Sequence, residues 1–133
     1  MKTMFTVLAL GLGIMGGMLL AQTEADFSGW MKGVGGAKGK LTAAVTAKDA
    51  KAVATEAKAF EGIFAQVEAY FTSHNMADAA GMAKAVRANA SKAATAAEGG
   101  TIDEAAIAAA TGSCGGCHAA HREKGADGAY KMK

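Results

Sequence analysis

The stretch DAKAVATEAKAFEGIFAQVEAYFTS, residues 49–73, decides the fold class. Its large apolar side chains, Val53, Phe60, Phe64, Val67 and Phe71, recur at intervals of seven, four, three and four. That is the period of one face of an α-helix and not of a strand. Asp49 stands where an N-cap belongs, with a carboxylate able to accept hydrogen bonds from the first free backbone N–H groups. The spacing predicts a helix from just after Asp49 to about Ser73.

Upstream, Phe27, Trp30, Met31, Val34, Leu41 and Val45 form a second stripe, which predicts a helix over about 25–46. Gly33, Gly35, Gly36 and Gly39 fall inside it. Each costs a helix about 1 kcal/mol relative to alanine, so part of this helix is expected to be irregular. Downstream, HNMADAAG (74–81) breaks the pattern, and Met82 and Val86 then mark an alanine-rich third helix to about Ala97, stopped by Gly99 and Gly100. Thr101 followed three residues later by Glu104 reads as a capping box, with Asp103 adding negative charge at a helix start. A fourth helix is therefore expected to begin just after Thr101 and to carry both cysteines. The chain has no proline, and four helices joined by short loops predict an all-α, antiparallel up-down-up-down bundle.

The large side chains are unevenly shared. The first two helices hold most of the Phe, Leu and Val, whereas the third offers chiefly Met82 and Val86 and the fourth chiefly Ile102 and Ile107. Alanine adds little burial, since each buried CH₂ is worth about 0.8 kcal/mol. Either the backbones approach closely on that side, or a large apolar cofactor fills the space.

The chain opens MKTMFTVLALGLGIMGGMLLAQTEADF, with one lysine and then an uncharged run from Met4 to Leu20. This is the pattern of a secretory signal, expected to end at Ala21 and to leave one domain over 22–133. The other reading is an uncleaved anchor, because the run sits near the lower end of the roughly 17 to 25 residues that span a bilayer. Both place the domain outside the cytoplasm. The net charge of +2, with both signs interspersed, asks for neither nucleic acid nor membrane headgroups as partner.

The chemistry gathers in GSCGGCHAAHREKG, residues 112–125, which holds both cysteines and two of the three histidines. A redox dithiol of the thioredoxin kind needs a βαβ context, and no alternating run is present in 22–133. Zinc could draw on Cys114, Cys117, His118 and His121, but ligands so crowded on one helix cannot readily surround an ion tetrahedrally. Cys114-Gly-Gly-Cys117-His118 is the attachment signature of c-type haem, in which the thiols form thioethers and the imidazole binds iron. On a helix these three residues project to one side. Export agrees with haem attachment.

A late Cys-x-x-Cys-His on the last of four helices resembles the class II cytochromes c, the family of cytochrome c′ and its low-spin relatives, over essentially all of 22–133. The resemblance implies an exported four-helix bundle enclosing one covalently bound haem c. The family motif continues with two residues, an aromatic and a basic residue; Arg122 fits and His121 replaces the aromatic. The family's first helix supplies the residue facing the other side of the iron, and Met31 sits at the corresponding point. A bulky apolar residue there leaves iron five-coordinate, whereas a methionine binds it. Where members often carry an arginine four residues earlier, this chain has Phe27.

Gly35, one turn beyond Met31, removes a side chain where a macrocycle approaches the helix. Phe27, Gly35, Met82, Val86 and Arg122 are the expected pocket residues, with Arg122 either a solvated charge or a propionate partner. His121 follows His118 on the same helix and is expected near a haem edge, not as a second ligand. His74 reads as a solvated loop residue.

The expectation is a periplasmic monohaem electron carrier with His/Met-ligated iron, meeting other redox proteins transiently, and not an enzyme, since no acid-base pair or nucleophile lies beside the motif. The alternative is a five-coordinate protein of the cytochrome c′ kind that binds nitric oxide or carbon monoxide at the distal haem face. A third reading is an exported helical protein with a redox-active CGGC. The family often dimerises through its first two helices, and the apolar richness of those helices here permits a homodimer.

Overall fold

The computed structural model describes residues 22–133. The expected signal segment, residues 1–21, lies outside the described residues. Five helical segments and one hairpin follow in order: α1 (Glu24–Thr46), α2 (Ala50–Ser73), α3 (Ala77–Glu98), α4 (Glu104–Gly112), α5 (Cys114–His121), β1 (Arg122–Lys124) and β2 (Tyr130–Met132).

The chain ends each long helix with a local device. Thr23 and Asp26 form a reciprocal capping box at the start of α1: Asp26 N–H donates to Thr23 Oγ1 at 3.2 Å, and Thr23 N–H donates to Asp26 Oδ2 at 2.8 Å. Those bonds hold the Asp26 carboxyl below its ordinary range, the backbone donor more than the hydroxyl. α1 then runs unbroken through all its glycines, contrary to the irregularity expected of it. Packing of its apolar face against α2 outweighs the propensity cost. Lys48, at φ 53°, turns the chain, and Asp49 caps α2 by accepting from Ala52 N–H at 3.0 Å. Asn75, at φ 57°, makes the next turn. Because that turn is tight, α3 begins at Ala77, inside the stretch HNMADAAG that breaks the apolar pattern.

Gly100, at φ +86°, takes the left-handed conformation that follows α3. The cap of α4 is Asp103, not Thr101: Asp103 Oδ1 accepts from Ala106 N–H at 2.9 Å. Asp103 directly precedes the first helical residue, so its carboxylate, and not the Thr101 hydroxyl two residues further out, reaches the free N–H group. The single fourth helix expected from the sequence is in fact two. It breaks at Ser113 (φ −82°, ψ −3°), which ends α4 and begins α5. Gly112 weakens the helix there, and serine competes for backbone bonds in non-helical geometry.

Helices adjacent in sequence are neighbours in space: α1 packs on α2, α2 on α3, and α3 on α4. The core forms two clusters. Leu41, Val53, Ala57, Ala93, Ala97 and Ile107 occupy one end. Phe27, Val34, Phe60, Phe64, Val67, Phe71 and Val86 occupy the other. The α3–α4 side is alanine-rich as expected, with Val86 the one large residue α3 buries. Met82 is 38% exposed and belongs to neither cluster. Among the described residues no helix is long and apolar enough to cross a membrane.

Candidate functional site

A cavity of about 270 Å³ opens at the aromatic-rich end of the core, bounded by α1, α2, α3, α5 and the hairpin. α1 turns Phe27, Met31, Val34 and Gly35 toward it, at the spacings that keep one helix face aligned. α2 adds Phe64, Val67 and Phe71, and α3 adds Met82, Ala83 and Val86. Phe27 is anchored by Tyr70 and Phe71, with ring centroids 4.7 and 5.3 Å away. These walls are apolar, so a bound group must hide a large hydrophobic surface there.

The helix α5 brings the polar chemistry to this wall. Cys114, Cys117, His118 and His121 all line the cavity. Both thiols are free and half-buried. Burial pushes the Cys117 thiol up from its ordinary 9.0, and the neighbouring Cys114 and Asp78 push it in the same direction. Burial lowers the His118 imidazole from its usual 6.5, and the charge of Arg122 lowers it further. The site thus favours a protonated Cys117 thiol and a neutral His118 imidazole, the form in which a histidine can donate a lone pair to a metal.

All nine residues expected at the site line this one cavity: Phe27, Met31, Gly35, Met82, Val86, Cys114, Cys117, His118 and Arg122. Met82 stands at its edge and is 38% exposed. Arg122 stands at the end of α5 as its C-cap, with its backbone N–H donating to His118 O, and it is partly buried. It begins β1, and its guanidinium lies 3.7 Å from the centroid of the Tyr130 ring, a cation–π contact.

His121 also reaches the cavity. Its Nε2 lies 3.0 Å from Asp78 Oδ2 on α3, although the pair is out of line for a hydrogen bond, and its side chain is 12% exposed. His74 lies in the turn after α2 as expected, its ring stacked on Tyr70 with centroids 4.1 Å apart. Among the described residues no three His, Cys, Asp or Glu side chains converge as a metal-binding group.

Sequence reasoning missed Met132, which sits beside Arg122 in the hairpin and lines the cavity. It also missed Lys38, whose Nζ donates to Thr111 O at 3.5 Å across the cavity's other end. A tail methionine carries no periodic signal. For Lys38 a signal existed, because it follows Met31 and Val34 at helical spacing.

The residues present suit a haem on two counts. A Cβ built on Gly35 meets nothing within 4 Å, so the helix leaves open space on its cavity side. The donor set is two thiols and an imidazole on one helix, facing a thioether on another. No protein-family model, curated protein or solved structure matches the chain.

Proposed function

We propose that this chain is an exported monohaem c-type cytochrome of the class II kind, a periplasmic one-electron carrier. The observation that carries this reading is that residues drawn from α1, α3 and the Cys-x-x-Cys-His motif, far apart in sequence, line one apolar cavity. Cys114 and Cys117 would hold haem c by adding their S–H groups across its two vinyl groups. His118 and Met31 would be the iron ligands. Haem bound there supplies a one-electron couple, and methionine as second ligand raises its potential.

The rest of the cavity serves retention and exclusion of water. Phe27, Val34, Phe64, Val67 and Phe71 form a dry wall, and Gly35 leaves the space a flat ring needs beside α1. Arg122 offers a fixed guanidinium to a propionate. Met82, exposed at the edge, marks where redox-partner proteins would meet the site through a small, transient contact. A homodimer through α1 and α2 is compatible with this role, and no catalytic residue is assigned.

Production in a host able to mature c-type cytochromes tests the reading. Haem should remain with the polypeptide after acid-acetone extraction and be lost in a Cys114→Ser, Cys117→Ser variant. Wild-type protein free of covalent haem would revive the redox-active CGGC reading.

A further inference from the structure

The last residues of the chain form a hairpin that no helical-bundle argument requires. β1 and β2 pair antiparallel with Arg122 opposite Met132, Glu123 opposite Lys131, and Lys124 opposite Tyr130. Arg122, Lys124, Tyr130 and Met132 therefore share one face, since opposed residues and alternate residues lie on the same side of a ribbon. The Arg122 guanidinium over the Tyr130 ring is a diagonal contact on that face. The turn is closed by Gly125 N–H donating to Ala129 O at 2.7 Å, and Gly128, at φ +80°, supplies the left-handed residue it needs.

The ribbon is also fastened at its far end. Lys133 N–H donates to His121 O at 3.0 Å, Lys133 Nζ donates to Ala119 O at 2.9 Å, and Met132 N–H reaches Glu24 Oε1 on α1 at 3.4 Å. A two-stranded ribbon alone is marginal in water. Here the cation–π contact stiffens the ribbon itself, and these bonds hold it across the seam between the end of α5 and the start of α1. Met132 is partly buried against the aromatic cluster and lines the cavity there.

We infer that the C-terminal hairpin is a strap sealing the cavity between α1 and α5, with Met132 as its plug, and that it restricts entry of small molecules to the site. The sealing rests on the hairpin geometry; its consequence for ligands of the iron rests on the haem reading. Met132 acts as an apolar wall, so leucine should replace it and alanine should not.

Two measurements on the full chain, as wild type, Met132→Ala and Met132→Leu, test this. Amide exchange is read at Gly125, Gly128 and Lys133, whose N–H groups hold the hairpin. Carbon monoxide association is read in reduced protein carrying Met31→Ala throughout, so that access alone varies. Alanine should speed both about tenfold, the scale of a half-buried methionine's lost contacts, and leucine should restore both.

Unchanged rates in Met132→Ala would overturn the strap. So would failure of leucine to restore them, or a thioether-ligated spectrum that survives Met31→Ala and vanishes in Met132→Ala, because Met132 would then be a ligand and not a wall. If the protein carries no haem, the cytochrome reading fails, while amide exchange still decides whether the strap exists.

Discussion

His121 Nε2 and Asp78 Oδ2 stand 3.0 Å apart, joining the helix that carries both thiols to α3. Asp78 is 68% exposed, so the attraction is screened, whereas the imidazole is packed 6.3 Å from the Phe71 ring, centroid to centroid. Packing should therefore dominate. Asp78→Asn is expected to cost less than about 1 kcal/mol and His121→Ala about 1 to 3 kcal/mol in urea unfolding. The reverse order would mean that charge, not burial, holds α5 in place.

Gly35 and Gly36 separate folding from cofactor fit. A Cβ at either position meets nothing within 4 Å, but only Gly35 lines the cavity. Alanine at Gly36 should stabilise α1 by up to about 1 kcal/mol and leave the absorption spectrum unchanged. Alanine at Gly35 should stabilise the haem-free chain similarly yet reduce haem incorporation. Equal incorporation in the two variants would remove Gly35 from the site.

These two positions also show what the sequence could reveal. Gly35 was legible because it follows Met31 by one turn, and helical spacing alone puts it on the same face. The helix borders at Asp49 and Gly99 were legible for a similar reason, since a cap and a stop are local chemistry. Ser113 was not: a helix break there depends on how far α4 can follow α3 before α5 must turn toward the cavity. Met132 was hidden more deeply. Arg-Glu-Lys and Tyr-Lys-Met become strands only because each pairs with the other and the ribbon docks on α1 and α5, a tertiary context that strand propensity does not contain.

The haem-free chain should be most stable in a window of pH. The unfolded chain protonates a histidine near 6.5, whereas folded His118 resists the proton, so stability should fall as pH drops through that value. Cys117 has the opposite sign. Its folded thiol holds its proton above 9.0, so its contribution is present below 9.0 and is lost as pH rises through the folded value. Both groups are only half-buried, which makes the limbs shallow. Urea midpoints measured against pH should flatten on the acid side in His118→Gln and on the alkaline side in Cys117→Ser. A midpoint that rises below pH 6.5 would contradict the assignment.

The open cavity between α1, α2, α3 and α5 predicts dependence on the cofactor for stability. Haem would fill the cavity that Phe27, Val67 and Val86 otherwise leave open. The Cys114→Ser, Cys117→Ser variant should therefore melt well below the haem-loaded protein and with less cooperativity, since a ligand bound only to the folded state stabilises it. A cooperative melt at nearly the same temperature, followed by circular dichroism, would show that the helices form a sufficient core alone.

The most direct measurement is the absorption spectrum of the reduced protein made with c-type haem maturation, compared with that of Met31→Ala. Ligation by His118 and Met31 predicts a sharp low-spin α-band in the wild type, lost in the variant together with a gain in carbon monoxide binding. A wild-type spectrum that is high-spin, with carbon monoxide binding unchanged by Met31→Ala, would contradict that ligation and assign the cavity to a five-coordinate gas-binding protein.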